Sequence, residues 1–301
     1  MTLLETVYEL PSRWRKESAV ASRFSRATTQ ISRDGILLHA ILAFAVFMLV
    51  LPVLIGAISS THRTGVMTSF DDLIPGTYAA GNYYYALVES GFWRYLLNSF
   101  IMSIVIVIGK LLLSLLAALA IVYYRVPYKN LVFVFILFTL MLPVPVRFVP
   151  LYDLIVTLGW SNTFMAITIP YLASATTVFI LRQHFLTIPA SVVETARIDG
   201  VGPIKFLYAV LIPMSRGVLI GVCVIMFVFA WNQYLWPLVI IDTSSRQVSQ
   251  VGLALLEGDA MAGEVAWSLV MAGSMLTLLP PLLLLIAFRK PLLETFTIQQ
   301  K

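Results

Sequence analysis

Histidine, cysteine and charge are all scarce in this chain. Its three histidines, His39, His62 and His184, fall in separate regions, and its one cysteine, Cys223, sits inside an apolar stretch. A single cysteine excludes an internal disulfide and any cysteine-built metal cluster, and it suits a small packing residue. No G-x-x-x-x-G-K-[ST] loop is present to cradle ATP phosphates, and neither H-E-x-x-H nor G-x-S-x-G occurs. An enzyme reading therefore fails, and if ATP drives this protein another chain must bind it. Charged residues make up only 12% of the sequence, against about a quarter in an ordinary soluble domain.

What the chain has instead is apolar length. Of 301 residues 59% are hydrophobic, and the mean hydropathy is +0.90. Crossing a bilayer takes about 20 apolar residues. Six stretches qualify: about 36–58, 96–123, 131–150, 163–185, 217–241 and 266–288. Only helices and closed barrels satisfy their backbone hydrogen bonds in lipid, and no barrel-type alternation is present. The expected fold is all-α: a polytopic bundle of six transmembrane helices over residues 36–301, after a cytoplasmic segment 1–35 with a surface helix around Leu10 to Phe24.

Lysine and arginine set the orientation. They crowd the first segment (Arg13, Arg15, Lys16, Arg23, Arg26, Arg33), the loop with Arg125 and Lys129, the loop with Arg197, Lys205 and Arg216, and the end with Arg289, Lys290 and Lys301. The alternate loops are poorer: Arg63 and Arg94 face Asp71, Asp72 and Glu89, and Arg246 faces Asp242, Glu257, Asp259 and Glu264. Both termini are thus expected in the cytoplasm of a cell-membrane protein. The opening residues hold no apolar core of signal-peptide type. The formal charge of +5 needs no nucleic acid to explain it.

One polar loop is unexpectedly long. Residues 186–216 read LTIPASVVETARIDGVGPIKFLYAVLIPMSR between two apolar stretches. Ser191 and Glu194 have the spacing of a capping box, Gly200 with Gly202 and Pro203 can end that helix, and Phe206, Val210 and Leu211 share a face of a second helix from about Ile204. Helix, glycine turn and helix at a membrane surface suit a docking element, whereas the plainer alternative is an amphipathic loop on lipid headgroups.

The run Glu194 to Gly200, then Phe206 and Ile212-Pro213, resembles the EAA loop of ABC-importer permeases. Glu194, Ala196, Asp199, Gly200 and Pro213 match its motif, and Thr195 replaces its usual second alanine. The likeness runs on through Phe92-Trp93-Arg94 with Asn98-Ser99, Met141-Leu142-Pro143, Pro150-Leu151 and the run Trp231 to Pro237. These place the chain with permeases of the carbohydrate-uptake class. The runs LIPGT, GKLLLSLLAALAIVYYR, LMLPVPVRFVP and WNQYLWPL are most similar to the second permease subunit of sn-glycerol-3-phosphate importers. The resemblance implies a type I importer fold and an ATPase-coupling role for Glu194, Ala196, Asp199, Gly200, Phe206 and Pro213. It also implies a second permease as heterodimer partner, two ATP-binding subunits that hold ATP and Mg, and an extracytoplasmic solute-binding protein. The chain itself is expected to bind no cofactor and no metal. Its tail, LLETFTIQQK, lacks the glycines by which many such permeases reach the ATPase pair.

Five residues stand out inside the membrane. Lys110 lies mid-span, where an ammonium is costly and needs a wet cavity or a partner. It can serve as a cation beside the path of an anionic solute, or pair structurally with carbonyls or the second permease. Arg147 follows Pro143 and Pro145, where it can clamp a phosphate, snorkel to the interface or be held by Asp153. Asn232 and Gln233, with Trp231 before them, can wall a solute path or glue helices within an aromatic belt. Two cations favour an anionic solute; a neutral sugar or a glycerophosphodiester stays open. A secondary transporter or channel acting alone would be expected to carry internal repeats or mid-span carboxylates, and no span centre holds Asp or Glu. A membrane-anchored scaffold is disfavoured by Lys110 and the broken third span.

Overall fold

The computed structural model describes residues 12–64, 69–259 and 267–292. Leu10, Glu264 and the tail beyond Leu292 lie outside the described residues. The chain divides into two units, Met1–Gly56 and Ala57–Lys301. The described part of the first lies within helix α1 (Ser12–Ser59), whose last three residues belong to the second. Its apolar side chains from Ile36 to Ile55 point outward, as a lipid-facing span requires.

Four helices are long and apolar enough to cross a membrane: Gly35–Ser59, Phe92–Tyr123, Phe164–Phe185 and Trp267–Ala287. Two bent pairs bring the number to six when each counts as one span. The first, second, fourth and sixth fall within a few residues of their expected limits. The third is broken at a proline, and the second bent pair joins Pro203–Met214 to Arg216–Trp231 at 87°.

In the third, α3 (Lys129–Met141) stops at Leu142, and α4 (Val144–Thr157) leaves with a bend of 100°. Pro143 sits between them in an extended conformation, φ −57° and ψ 138°, and proline has no N–H to continue the first helix. The expected span 131–150 is therefore two arms, the second running on to Thr157. The fourth span comprises α5 (Phe164–Thr168), a 3-10 turn Ile169–Tyr171, and α6 (Ala175–Phe185). Two short helices follow, α7 (Ala190–Ile198) and α8 (Pro203–Phe206). The fifth span, expected over 217–241, has α9 (Arg216–Trp231) ending at Asn232 and a separate short α10 (Leu235–Ile240). Helix α11 (Ser249–Asp259) and the last span α12 (Trp267–Ala287) complete the order.

Within the larger unit, α2 (Phe92–Tyr123) is the helix on which the others assemble; α6 and α9 both pack along it. Its buried face is partly polar. Ser99, Ser103, Lys110 and Ser114 are all buried, at spacings of four, seven and four that keep them on one side. At the start of α2, Asn98 donates from Nδ2 to the carbonyls of Ser245 (3.0 Å) and Gln247 (2.9 Å), and Ser99 meets Ser249 hydroxyl to hydroxyl at 2.9 Å. Asn162, in left-handed conformation, accepts at Oδ1 from the Thr243 N–H (3.1 Å) and donates to Thr243 Oγ1 (2.7 Å). The segment between the fifth and sixth spans is thus stitched to α2 and to the turn before α5.

Gly252 of α11 lies against this seam, and a Cβ there would overlap Tyr95 Cδ2 of α2. Gly252→Ala should lower the melting temperature of the purified protein by several degrees, for an overpacking cost of about 1–3 kcal/mol. Gly81→Ala, in the helix Ala79–Tyr84 where a Cβ meets nothing within 4 Å, should not lower it.

Candidate functional site

The loop 186–216 folds as two short helices around one turn. Its first helix does not begin as the Ser191 capping box predicts. Pro189, at φ −57° and ψ 136°, is the N-cap, and the helix starts at Ala190. Ser191 is displaced into the first turn, where its carbonyl accepts from Thr195 Oγ1 at 2.9 Å. Proline fixes the chain direction two residues earlier than the serine could, which is why the pattern misleads.

The helix end matches expectation. Gly200 has φ +67°, its N–H bonds to the Arg197 carbonyl (3.1 Å), and the Val201 N–H reaches the Ala196 carbonyl (2.9 Å). That double closure is a Schellman motif, with Ala196 and Val201 packed in one apolar cluster. Nothing lies within 4 Å of a Cβ at Gly200, so its demand for glycine is conformational and not steric. After Gly202, α8 runs into a π turn Leu207–Leu211 and then Ile212–Met214, and α9 departs at 87°.

Burial divides this loop into two faces. Ala196, Phe206 and Leu211 are buried against Leu115, Leu119, Leu181 and Phe185, with Val210 packed at the edge. Glu194, Asp199 and Pro213 are exposed, as is Ile198, at 86% of its surface. The motif residues therefore split by role: Ala196 and Phe206 fix the loop to the spans, while Glu194, Asp199, Ile198 and Pro213 face away. Sequence reasoning missed the residue at the centre of this junction, Tyr123. Its ring lies edge-on to Phe206 at 5.3 Å between centroids, its hydroxyl donates to the Phe185 carbonyl at 2.7 Å, and its carbonyl accepts from Arg197 Nη2 at 3.1 Å. The only sequence signal was an aromatic pair, Tyr123-Tyr124, at a span end.

A second assembly lies within the spans. Lys110 is buried at 4% exposure, and its Nζ stands 4.3 Å from the ring centroid of Phe229 on α9. An ammonium over an aromatic face is held by the ring quadrupole, more strongly where water is scarce. Phe229 is itself half exposed, and Asn232, three residues on, is exposed too, so both share one face of the last turn of α9. Asn232 Oδ1 accepts from Gln250 Nε2 at 3.1 Å, a partner not foreseen from the sequence. Gln233 is half-buried in the break that follows. The structure thus draws Lys110, Phe229, Asn232 and Gln250 to one region.

Two of the sequence candidates stand outside that group. Trp231 is buried, its indole N–H donates to the Thr277 carbonyl at 3.0 Å, and its ring stacks on Phe227 at 5.7 Å. With its donor satisfied and its ring packed, it is a packing residue between α9 and α12. Arg147 is exposed on α4, beyond the proline break, with Tyr171 in electrostatic range. Among the described residues no group of three or more His, Cys, Asp or Glu could hold a metal ion.

Residues 110–289 match the family described as "Binding-protein-dependent transport system inner membrane component". The sn-glycerol-3-phosphate transport system permease protein UgpE of Escherichia coli K12 is 37% identical over 261 residues, covering 84% of this chain and 92% of the relative. The protein of that name from Agrobacterium fabrum C58 is 36% identical over 277 residues, covering 86% and 96%. In fold, the chain is similar to a subunit of a bacterial ABC transporter involved in the import of the acidic polysaccharide alginate. There the TM-score is 0.75 at 20% identity, over 85% of this chain and 95% of that one.

The left-handed turn sets a clear expectation. Gly200→Ala should strain the turn by about 1–2 kcal/mol and speed tryptic cleavage at Arg197 and Lys205. Gly202→Ala, at φ −69° with no atom within 4 Å of the new Cβ, should not.

Proposed function

Because this chain belongs to the binding-protein-dependent transport system inner membrane components, we propose that it is one permease of an ABC importer that carries sn-glycerol-3-phosphate or a close phosphate ester into the cell. The chain is a multi-pass membrane subunit without catalysis of its own, and ATP is bound by partner ATPases. In this reading a second permease completes the path, two ATP-binding subunits sit beneath, and an extracytoplasmic binding protein delivers the solute. Both termini and the loop 186–216 face the cytoplasm, which the distribution of lysine and arginine supports.

The observation that carries the choice of solute is Lys110, a buried ammonium at mid-span whose Nζ is aimed at the half-exposed face of Phe229 beside Asn232. A cation placed there lowers the cost of bringing a phosphate dianion out of water. The Asn232 amide and Gln233 supply hydrogen bonds for hydroxyl or phosphate oxygens, and Arg147, exposed beyond the proline break, offers a bidentate guanidinium nearer the outer end. The names of the relatives point to the same solute class.

Coupling runs through the exposed face of the loop. Glu194, Asp199, Ile198 and Pro213 would meet the ATPase subunits, while Ala196 and Phe206 hold the loop to the spans. Closure of the ATPases on ATP would then move the loop and rock the spans between inward-open and outward-open states, each favoured by a different ligand.

The test is solute-stimulated ATPase activity of the assembled complex in liposomes, with glycerol-3-phosphate against maltose. Stimulation by the phosphate ester is expected, and Lys110→Met should raise its half-saturating concentration about tenfold or more, the worth of one charge-assisted contact. Stimulation by maltose alone would overturn the anionic solute, and failure of ATPase subunits to co-purify would overturn the importer itself.

A further inference from the structure

Tyr123 occupies a place that neither the motif nor the solute path accounts for. It is the last residue of α2, the helix that carries Lys110 and on which α6 and α9 pack. Its contacts go to three different elements: the hydroxyl to the Phe185 carbonyl and the ring to the Phe185 ring at the end of α6, the carbonyl to Arg197 on α7, and the ring edge-on to Phe206 on α8. Two of these engage carbonyls in the last turns of helices, groups that have no partner along their own helix and are strong acceptors for that reason. The Arg197 guanidinium also meets the negative end of the α2 dipole, which favours a cation there.

We propose that Tyr123 is a positioning residue, the joint that makes the loop 186–216 and the ends of α2 and α6 move as one body. The proposal rests on the coupling role given above to that loop. From Lys110 to Tyr123 the sequence KLLLSLLAALAIVY contains neither glycine nor proline, so this part of α2 is an uninterrupted rod about 20 Å long. A displacement of the loop delivered to Tyr123 therefore reaches Lys110 without a hinge between them. The aromatic ring packs against Phe206 and Phe185, and the hydroxyl sets the distance between the ends of α2 and α6. Leucine or valine at this position would fill space but leave the carbonyl of Phe185 without this donor.

A joint and a merely structural contact differ in what their loss does. A loosened joint lets the ATPases close while the spans lag, so hydrolysis continues with less solute moved per ATP. A structural contact lowers assembly, hydrolysis and transport together. In the reconstituted complex, Tyr123→Phe keeps the ring and removes only the hydroxyl. It should retain near-native ATPase turnover and lower the solute carried per ATP about fivefold, the equivalent of one hydrogen bond of ~1 kcal/mol. Arg197→Gln should act in the same direction, and Arg197→Lys, which keeps a charged donor, should recover most of the ratio. An unchanged ratio in Tyr123→Phe overturns the proposal, as does a parallel fall of hydrolysis and transport. Should Tyr123→Phe fail to assemble, Arg197→Gln decides by the same two criteria. The native complex, shown first to couple hydrolysis to transport, is the reference for both variants, so failure of the joint is distinct from failure of the importer reading.

Discussion

Inside a bilayer no water is available to a polar group, so every backbone N–H and C=O must be satisfied by the protein. That constraint explains the helices, and it explains more about the places where helices stop. Irregular stretches and freed carbonyls are met by side chains. Asn162 closes the turn before α5 onto Thr243, Trp236 donates to the Ala166 carbonyl, and Trp231 donates to the Thr277 carbonyl, which Pro281 four residues on cannot partner. Where α2 and α6 end, Arg197 takes up the Tyr123 carbonyl, and Tyr123 adds a second donor to the Phe185 carbonyl beside the Ile188 N–H. Irregular backbone in such a protein is tolerated only where it is buried in protein or lines a cavity, so the breaks at Pro143 and Asn232 mark the regions where a path is to be sought.

The polar face of α2 follows from the same constraint. Ser99, Ser103, Lys110 and Ser114 are buried on one side of a helix that is otherwise apolar. Small hydroxyl residues let α6 and α9 approach closely, a common solution when hydrophobic driving force between helices is weak. Lys110 does not fit that explanation, since its length and charge work against close packing. Its orientation onto Phe229, towards an exposed face of α9, is what links the packing of the bundle to the proposed handling of an anion.

Much of this was legible in the sequence, because apolar length, proline and glycine act locally. The spans over 36–58, 96–123, 163–185 and 266–288 were readable to within a few residues, and the Gly200 turn was readable because only a few residue types adopt φ > 0 cheaply. The failures are informative in kind. Ser191 and Glu194 had the right spacing for a cap, but Pro189 starts the helix first. The prolines of the third span announced a break but not its 100° bend, and the fifth had the composition of a single helix although α9 ends at Asn232. The contacts that join Asn98 to Gln247, Gln250 to Asn232 and Tyr123 to Phe185 connect distant parts of the chain, and no local pattern encodes them. Trp231 looked like part of a polar wall because of its neighbours, whereas its donor is satisfied inward by Thr277.

Coupling through Tyr123 requires that the loop and the span ends behave as one body. The direct measurement is the distance between spin labels at Ser191 and Arg125, both exposed, in a Cys223→Ser background of the assembled complex, with and without bound ATP. One on α7 and one just past the end of α2, they report the joint without occupying it. A rigid joint gives the same narrow distance distribution in both states. A shift of about 5 Å or more, one helical pitch, or a broadening on ATP binding would show that the loop moves against the spans and would contradict a shared rigid body.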